Sequence, residues 1–168
     1  PTGCTSDYLV TATNTTRNDQ KASAGYGAES IDLGAPGSGI LSTYSNGSTS
    51  SLSGTSMATP HVAGAIGFLH AVMTTGFSEF QKENPGEGAL VLKTMILDGT
   101  DVINALENIT VSGGRLNLYN SAMLVSEFMA SDSLDPNPVA NFTGDGSEGM
   151  MIHLTWENPE TLFGGDSI

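Results

Sequence analysis

Ser53-Gly54-Thr55-Ser56-Met57-Ala58-Thr59-Pro60-His61-Val62-Ala63-Gly64 is the densest chemical signal in the chain, and the rest is read outward from it. From Ser56 to about Met73, the apolar residues Ala58, Val62, Ala65, Ile66, Leu69 and Met73 recur at spacings of three and four, which predicts a helix. Ala63, Phe68 and Val72 fill much of its other side, so the helix is expected to be apolar nearly all round and therefore buried. Pro60 falls in the first turn, where a missing N–H costs nothing. Gly64 and Gly67 each cost up to ~1 kcal/mol in a helix interior, which implies a close-packed neighbour. The string thus sets the Ser56 hydroxyl at a helix N-terminus, where about half a positive charge and free N–H groups favour an oxyanion. Gly54 keeps side chains out of the way of an approaching backbone. A serine here can also be a plain helix cap. The length of the string argues against that simpler reading.

On the N-terminal side, residues 8–12 and 30–33 read as short apolar strands, the second stopped by a turn at Ala35-Pro36-Gly37. Gly39 to Tyr44 reads as a third strand, and Ser45 to Ser53 as a Ser/Gly/Asn-rich loop. On the C-terminal side, Pro85-Gly86 breaks the chain, and a helix over 87–97 turns Leu92, Met95 and Ile96 inward. Gly113-Gly114 is a turn, and Asn117 caps a last helix with Leu118, Ala122, Val125 and Met129 on one face. Strands followed by helices indicate an α/β layer architecture. The composition shifts at Ser131: residues 131–138 read as a linker, and two alternating strands follow around Val139–Phe142 and Ile152–Trp156. Two such strands cannot form a stable domain, so both ends read as cut.

The net charge of −13 disfavours nucleic-acid binding, because such a surface repels phosphates. No run approaches the ~18 apolar residues of a membrane span. Cys4 is the sole cysteine, which excludes an internal disulfide framework. Asn14, Asn46, Asn108 and Asn141 open glycosylation sequons, read as chance matches in a polar chain.

Residues 54–64 resemble the nucleophile motif of the subtilisin-like serine proteases. Tyr8-Leu-Val-Thr-Ala12, Ala24-Gly-Tyr-Gly27, Ser30-Ile-Asp-Leu-Gly-Ala-Pro-Gly37 and Gly113-Gly-Arg-Leu-Asn-Leu-Tyr119 are similar to flanking segments of that family. The resemblance implies the C-terminal part of a three-layer α/β fold with a mostly parallel sheet over residues 1–130. The stretch 139–168 resembles the start of a fibronectin type III module. The implied function is a serine endopeptidase acting on proteins or peptides through an acyl-enzyme on Ser56. In that role the Ser56 N–H, with Thr55 beside it, stabilises the oxyanion. The resemblance further implies a secreted or cell-surface protein of bacterial type. Met57 would be the oxidation-sensitive neighbour of the nucleophile. No cofactor is required for the chemistry. Calcium is common in the family, but Asp32 alone does not establish a site.

His61 is not expected to serve as the base. Five residues along a helix is about 500°, or about 140° past a full turn, so its ring turns away from Ser56. His70 is read as a helix-face residue, and His153 lies in the tail. Family triads run Asp, His, Ser along the chain, yet no histidine precedes Ser56, so the base, its Asp and the oxyanion Asn are expected upstream of Pro1. In the family's type enzyme, loss of base or nucleophile alone lowers turnover by roughly 10⁶-fold. These residues by themselves are therefore expected to be inactive. Two rival readings stand beside this one. An α/β-hydrolase elbow would use Ser56, Asp101 and His153 in that order, but His153 lies across the linker and the elbow lacks the Met-Ala-Thr-Pro-His continuation. A catalytically dead homologue acting as a secreted binding or adhesion module would keep the fold without the chemistry.

Overall fold

Short apolar strands separated by long helices form a sheet only when distant segments pair, and the computed structural model has that organisation. It describes residues 3–129, so the expected linker (131–138), the fibronectin-like stretch (139–168) and His153 lie outside the described residues. Strands β1 (Ala12–Thr15) and β2 (Leu33–Pro36) run parallel, with Ala12 opposite Leu33 and Thr15 opposite Pro36. β3 (Ile40–Thr43) and β4 (Thr49–Leu52) make a separate antiparallel hairpin. Helices α1 (Thr55–Val72), α2 (Thr75–Glu83) and α3 (Pro85–Asp98) follow in succession. β5 (Asp101–Val102), β6 (Gly114–Arg115) and α4 (Leu118–Glu127) end the described chain. The sheet order is β1-β2-β6-β5, parallel except for β5, so the fold is mixed α/β with a mostly parallel sheet.

The core joins β2, α1, α3 and α4 through Leu33, Ala35, Ala58, Val62, Leu69, Leu92, Met95, Ile96 and Val125, with Phe77 of α2 closing it. Burying side chains of this size stabilises by about 1.5–3 kcal/mol each. Phe77 makes an edge contact with Phe128 at 4.9 Å between ring centres.

Several expectations shift. The first strand begins at Ala12 and not at residue 8, because Leu9 and Val10 lead up to the sheet outside its ladder. The second runs three residues later than expected, and Ala35 and Pro36 belong to it because the Pro36 position needs no ladder donor of its own. The expected loop 45–53 contains β4. Asn46 and Gly47 take positive φ (58° and 70°) and turn the hairpin, which pairs its polar strands. Pro85 opens α3 at its first position, with Asn84 ending α2 immediately before it. Gly114 lies in a strand, while Gly113 alone turns with φ 64°. Asn117 caps α4 as expected, accepting from the Asn120 N–H at 3.1 Å, but Met129 falls beyond the helix and is exposed.

The largest correction concerns α1. Its Ala58, Val62, Ala65 and Leu69 are buried, while His61, Ala63, Gly64, Gly67, His70 and Ala71 are exposed. A methyl group added at Gly64 or Gly67 would meet nothing within 4 Å among the described residues. β1, β2 and α4 cover only one side of the helix, so the neighbour expected for its glycines is not among the described residues.

Candidate active site

Ser56 is exposed at the second position of α1, and the path of the chain into that helix follows from two glycines. Gly54 adopts φ 154°, a conformation that side chains rarely tolerate, and this turns the chain from the hairpin into the helix. Gly37, at the end of β2, accepts a hydrogen bond from the Gly54 N–H at 2.8 Å. A Cβ at Gly37 would lie 2.7 Å from both the Gly54 carbonyl oxygen and Asn14 Oδ1. Asn14 is itself buried, and its Oδ1 accepts from Ser38 Oγ at 3.0 Å. Ser53 Oγ accepts from the Gly39 N–H at 2.8 Å, which ties the exit of the hairpin to its entry. The turn before Ser56 is therefore fastened to the end of a buried strand.

At the start of α1, the Met57 and Ala58 N–H groups donate to the Gly54 carbonyl at 3.1 and 3.3 Å. The N–H groups of Thr55 and Ser56 have no backbone acceptor among the described residues. The first N–H groups of any helix lack an intrahelical partner, and here two of them flank an exposed hydroxyl. The arrangement offers an anion two donors and the positive end of an 18-residue helix. The Thr55 carbonyl accepts from Thr59 Oγ1 at 2.9 Å, a bond that reinforces the first turn.

Ser56 and Met57 line a groove of about 480 Å³ whose other wall is the hairpin, through Ile40, Leu41, Ser42, Thr43, Ser50 and Leu52. Pro60 and His61 complete it. The sequence alone does not mark these hairpin residues as part of a site. The signal that could have found them is Asn46-Gly47, a hairpin turn signature within the supposed loop. His61 shares the groove with Ser56, but its Nδ1 is bonded to the Met57 carbonyl at 2.8 Å, one turn back along the same helix. His70 lies on the wall of a different cavity of about 340 Å³, with Tyr8, Val10 and Ile66. No histidine hydrogen-bonds Ser56 among the described residues. Asp101 is engaged elsewhere, with Arg115, Asn117 and Asn120, so the hydrolase-type order Ser56, Asp101 has no counterpart here.

Residues 2–107 match the family model described as the subtilase family, peptidase S8. The chain belongs to the subtilase family. Thermitase from Thermoactinomyces vulgaris is 50% identical to this subtilase over 60 residues, 36% of this chain and 22% of thermitase. Subtilisin-like serine protease AsES from Sarocladium strictum is 40% identical over 98 residues, 58% of this chain and 23% of that protein. Subtilisin Savinase from Lederbergia lenta is 33% identical over 113 residues, 67% of this chain and 34% of its own length. The subtilase chain thus spans between 22% and 34% of these relatives. Among solved structures, the A-subunit of the AB5 toxin from E. coli superposes with a TM-score of 0.55 at 21% identity, over 70% of this chain and 38% of that one. The self-cleaved protease domain of PatA superposes with a TM-score of 0.53 at 23% identity, over 70% of this chain and 42% of that one. Both likenesses concern the fold.

Among the described residues of this subtilase, no three Asp, Glu, His or Cys side chains gather. The one buried carboxylate among them, Asp32, is already paired with Lys93 at 3.2 Å. No helix among the described residues is long and apolar enough to cross a membrane.

Proposed function

We propose that this subtilase chain is the nucleophile-bearing C-terminal part of a three-layer serine endopeptidase domain, followed by a fibronectin type III-like module in a secreted bacterial protein. Ser56 Oγ attacks the scissile carbonyl of a protein or peptide substrate and forms an acyl-enzyme. The Ser56 N–H, aided by Thr55, holds the oxygen as it becomes negative. A His, its orienting Asp and an oxyanion Asn come from residues upstream of Pro1. The observation that carries this reading is the exposed Ser56 hydroxyl beside two N–H groups without backbone acceptors, at the mouth of a groove walled by the hairpin. The open face of α1 supports the upstream placement, because a helix of such apolar content calls for a second covering layer.

A fluorophosphonate probe tests the proposal by mass spectrometry. The protein extended upstream through its base is expected to label at Ser56, and S56A to abolish labelling. The 168 residues alone are expected to remain unlabelled, because the proton acceptor is missing. An extended protein that never labels would favour the catalytically dead homologue, and labelling of the short chain would refute the division of the site.

A further inference from the structure

Asn14 is 3% exposed, and an amide so deeply buried costs stability that an apolar side chain of similar size would not. It lies in β1 opposite Ala35, on the other face of the strand from Thr13 and Thr15. Its Oδ1 accepts from Ser38 Oγ at 3.0 Å, just past the end of β2. One residue further along β1, the Thr15 carbonyl accepts from the Gly37 N–H at 3.1 Å. The end of β1 therefore grips residues 37–38 twice, once through backbone and once through the Asn14 side chain. Two more bonds run from this segment to the turn before α1. The Gly54 N–H donates to the Gly37 carbonyl, and the Gly39 N–H to Ser53 Oγ, both at 2.8 Å. The Gly54 carbonyl in turn accepts from the Met57 and Ala58 N–H groups, so its position sets where α1 begins. The path from β1 to Ser56 is continuous. Among the described residues, Asn14 is the only side chain of the sheet that bonds to residues 37–39.

We infer that Asn14 is a positioning residue for the nucleophile. It makes no hydrogen bond to Ser56; it fixes residues 37–39 and, through them, the Gly54 turn. The Ser56 hydroxyl and the two N–H groups without backbone acceptors are thereby presented to the groove as one unit. This inference rests on Ser56 being the nucleophile. A hydroxyl and its oxyanion donors work only in narrow geometry, and a misplacement of about 1 Å costs roughly 10²-fold in rate. The turn has no anchor of its own, because Gly54 stands at the N-cap and offers no side chain to the helix. Its anchor comes instead from a buried strand much earlier in the chain. The Asn14 amide NH₂ has no acceptor among the described residues, so an aspartate at this position would keep the bond that the side chain makes.

The test has two arms. In the protein extended upstream through its base, fluorophosphonate labelling rates are compared among the parent, N14A, N14D, S38A, N14A/S38A and T74A. N14A is expected to label about 10²-fold more slowly. N14D is expected to stay within roughly tenfold of the parent while melting lower, because it keeps the acceptor oxygen but buries an unpaired charge. S38A removes the donor and is expected to slow labelling, with N14A/S38A no slower than N14A, since both act on one link. T74A removes the cap of α2, beyond the far end of α1, and is expected to melt lower at an unchanged rate. In the 168-residue chain, N14A is expected to speed amide exchange at Gly54, Met57 and Ala58 at least about tenfold more than in the middle of α3. The inference is overturned if N14A or S38A labels as fast as the parent, if N14D is as slow as N14A, if T74A is slowed as much as N14A, or if exchange rises evenly. Should N14A not fold, S38A and N14D decide by the same criteria. An extended parent that never labels sinks the nucleophile reading instead, and the exchange arm then decides whether Asn14 holds the turn.

Discussion

Replacing Gly37 by alanine isolates the contact that seats the turn before Ser56. The added methyl would lie 2.7 Å from the Gly54 carbonyl oxygen and 2.7 Å from Asn14 Oδ1. The first is backbone and belongs to the residue whose own N–H bonds to Gly37 at 2.8 Å, so neither side can retreat without breaking that bond. Asn14 is buried and held by Ser38, so it cannot swing out freely. Overpacking of this kind costs about 1–3 kcal/mol, and loss of the hydrogen bond adds about 1 kcal/mol. The total, about 2–4 kcal/mol, corresponds to a fall in Tm of roughly 8–15 °C for a domain of this length. Urea unfolding of the parent and G37A measures the cost, and amide hydrogen exchange at Gly54 locates it. A loss of less than about 0.5 kcal/mol in G37A, the range of a neutral surface change, with the Gly54 amide as protected as in the parent, would refute this role of Gly37.

Three further substitutions probe other parts of the fold. G64A is expected to stabilise this chain by about 0.5–1 kcal/mol, because it removes backbone freedom from a helix interior with open space around it; a loss of stability in thermal melts would show that face to be covered. T74A is expected to cost about 1–2 kcal/mol, since the Thr74 hydroxyl accepts from the Phe77 N–H at 3.0 Å and donates to the Phe128 carbonyl at 2.8 Å; T74S should recover most of it in urea titrations. I96A empties a fully buried position on α3 and is expected to cost about 2–5 kcal/mol, read from the shift in denaturation midpoint at constant slope.

The parts of this fold most legible in the sequence are those governed by local rules. The run from Ala58 to Leu69 fixes α1 to within a residue at each end, because its apolar spacing and its opening Gly-Thr-Ser agree. Leu92, Met95 and Ile96 point inward on α3 for the same reason, and Asn117 caps α4 through its own side chain. The strands are less legible. β5 and β6 have two residues each; β6 pairs with β2 about eighty positions away, and β5 joins the sheet only through β6, which no local pattern records. α2 escapes a sequence reading because Gly76 and a polar composition mask a cap at Thr74 and a Phe77/Phe80 pair three residues apart. At the candidate site, Ser56 can be singled out from its surrounding string, whereas the groove opposite it cannot. Its wall is a hairpin of Ser, Thr and Leu residues, whose role depends on where the Asn46-Gly47 turn folds it.

The pairing of β2 with residues near β6 also sets an order of events. Ile31, Asp32 and Gly34 accept hydrogen bonds from Val111, Ser112 and Leu116, so the second neighbour of this strand arrives some eighty positions after the first half of the sheet. Long-range parallel pairing of this kind is slow to form, and an open strand edge invites wrong partners in the meantime. During synthesis the serine therefore leaves the ribosome well before the strand beneath it is enclosed on both sides. A chain released before residue 116 would carry the hydroxyl and its helix, while the edge from Ile31 into β2 at Gly34 still lacked its second neighbour.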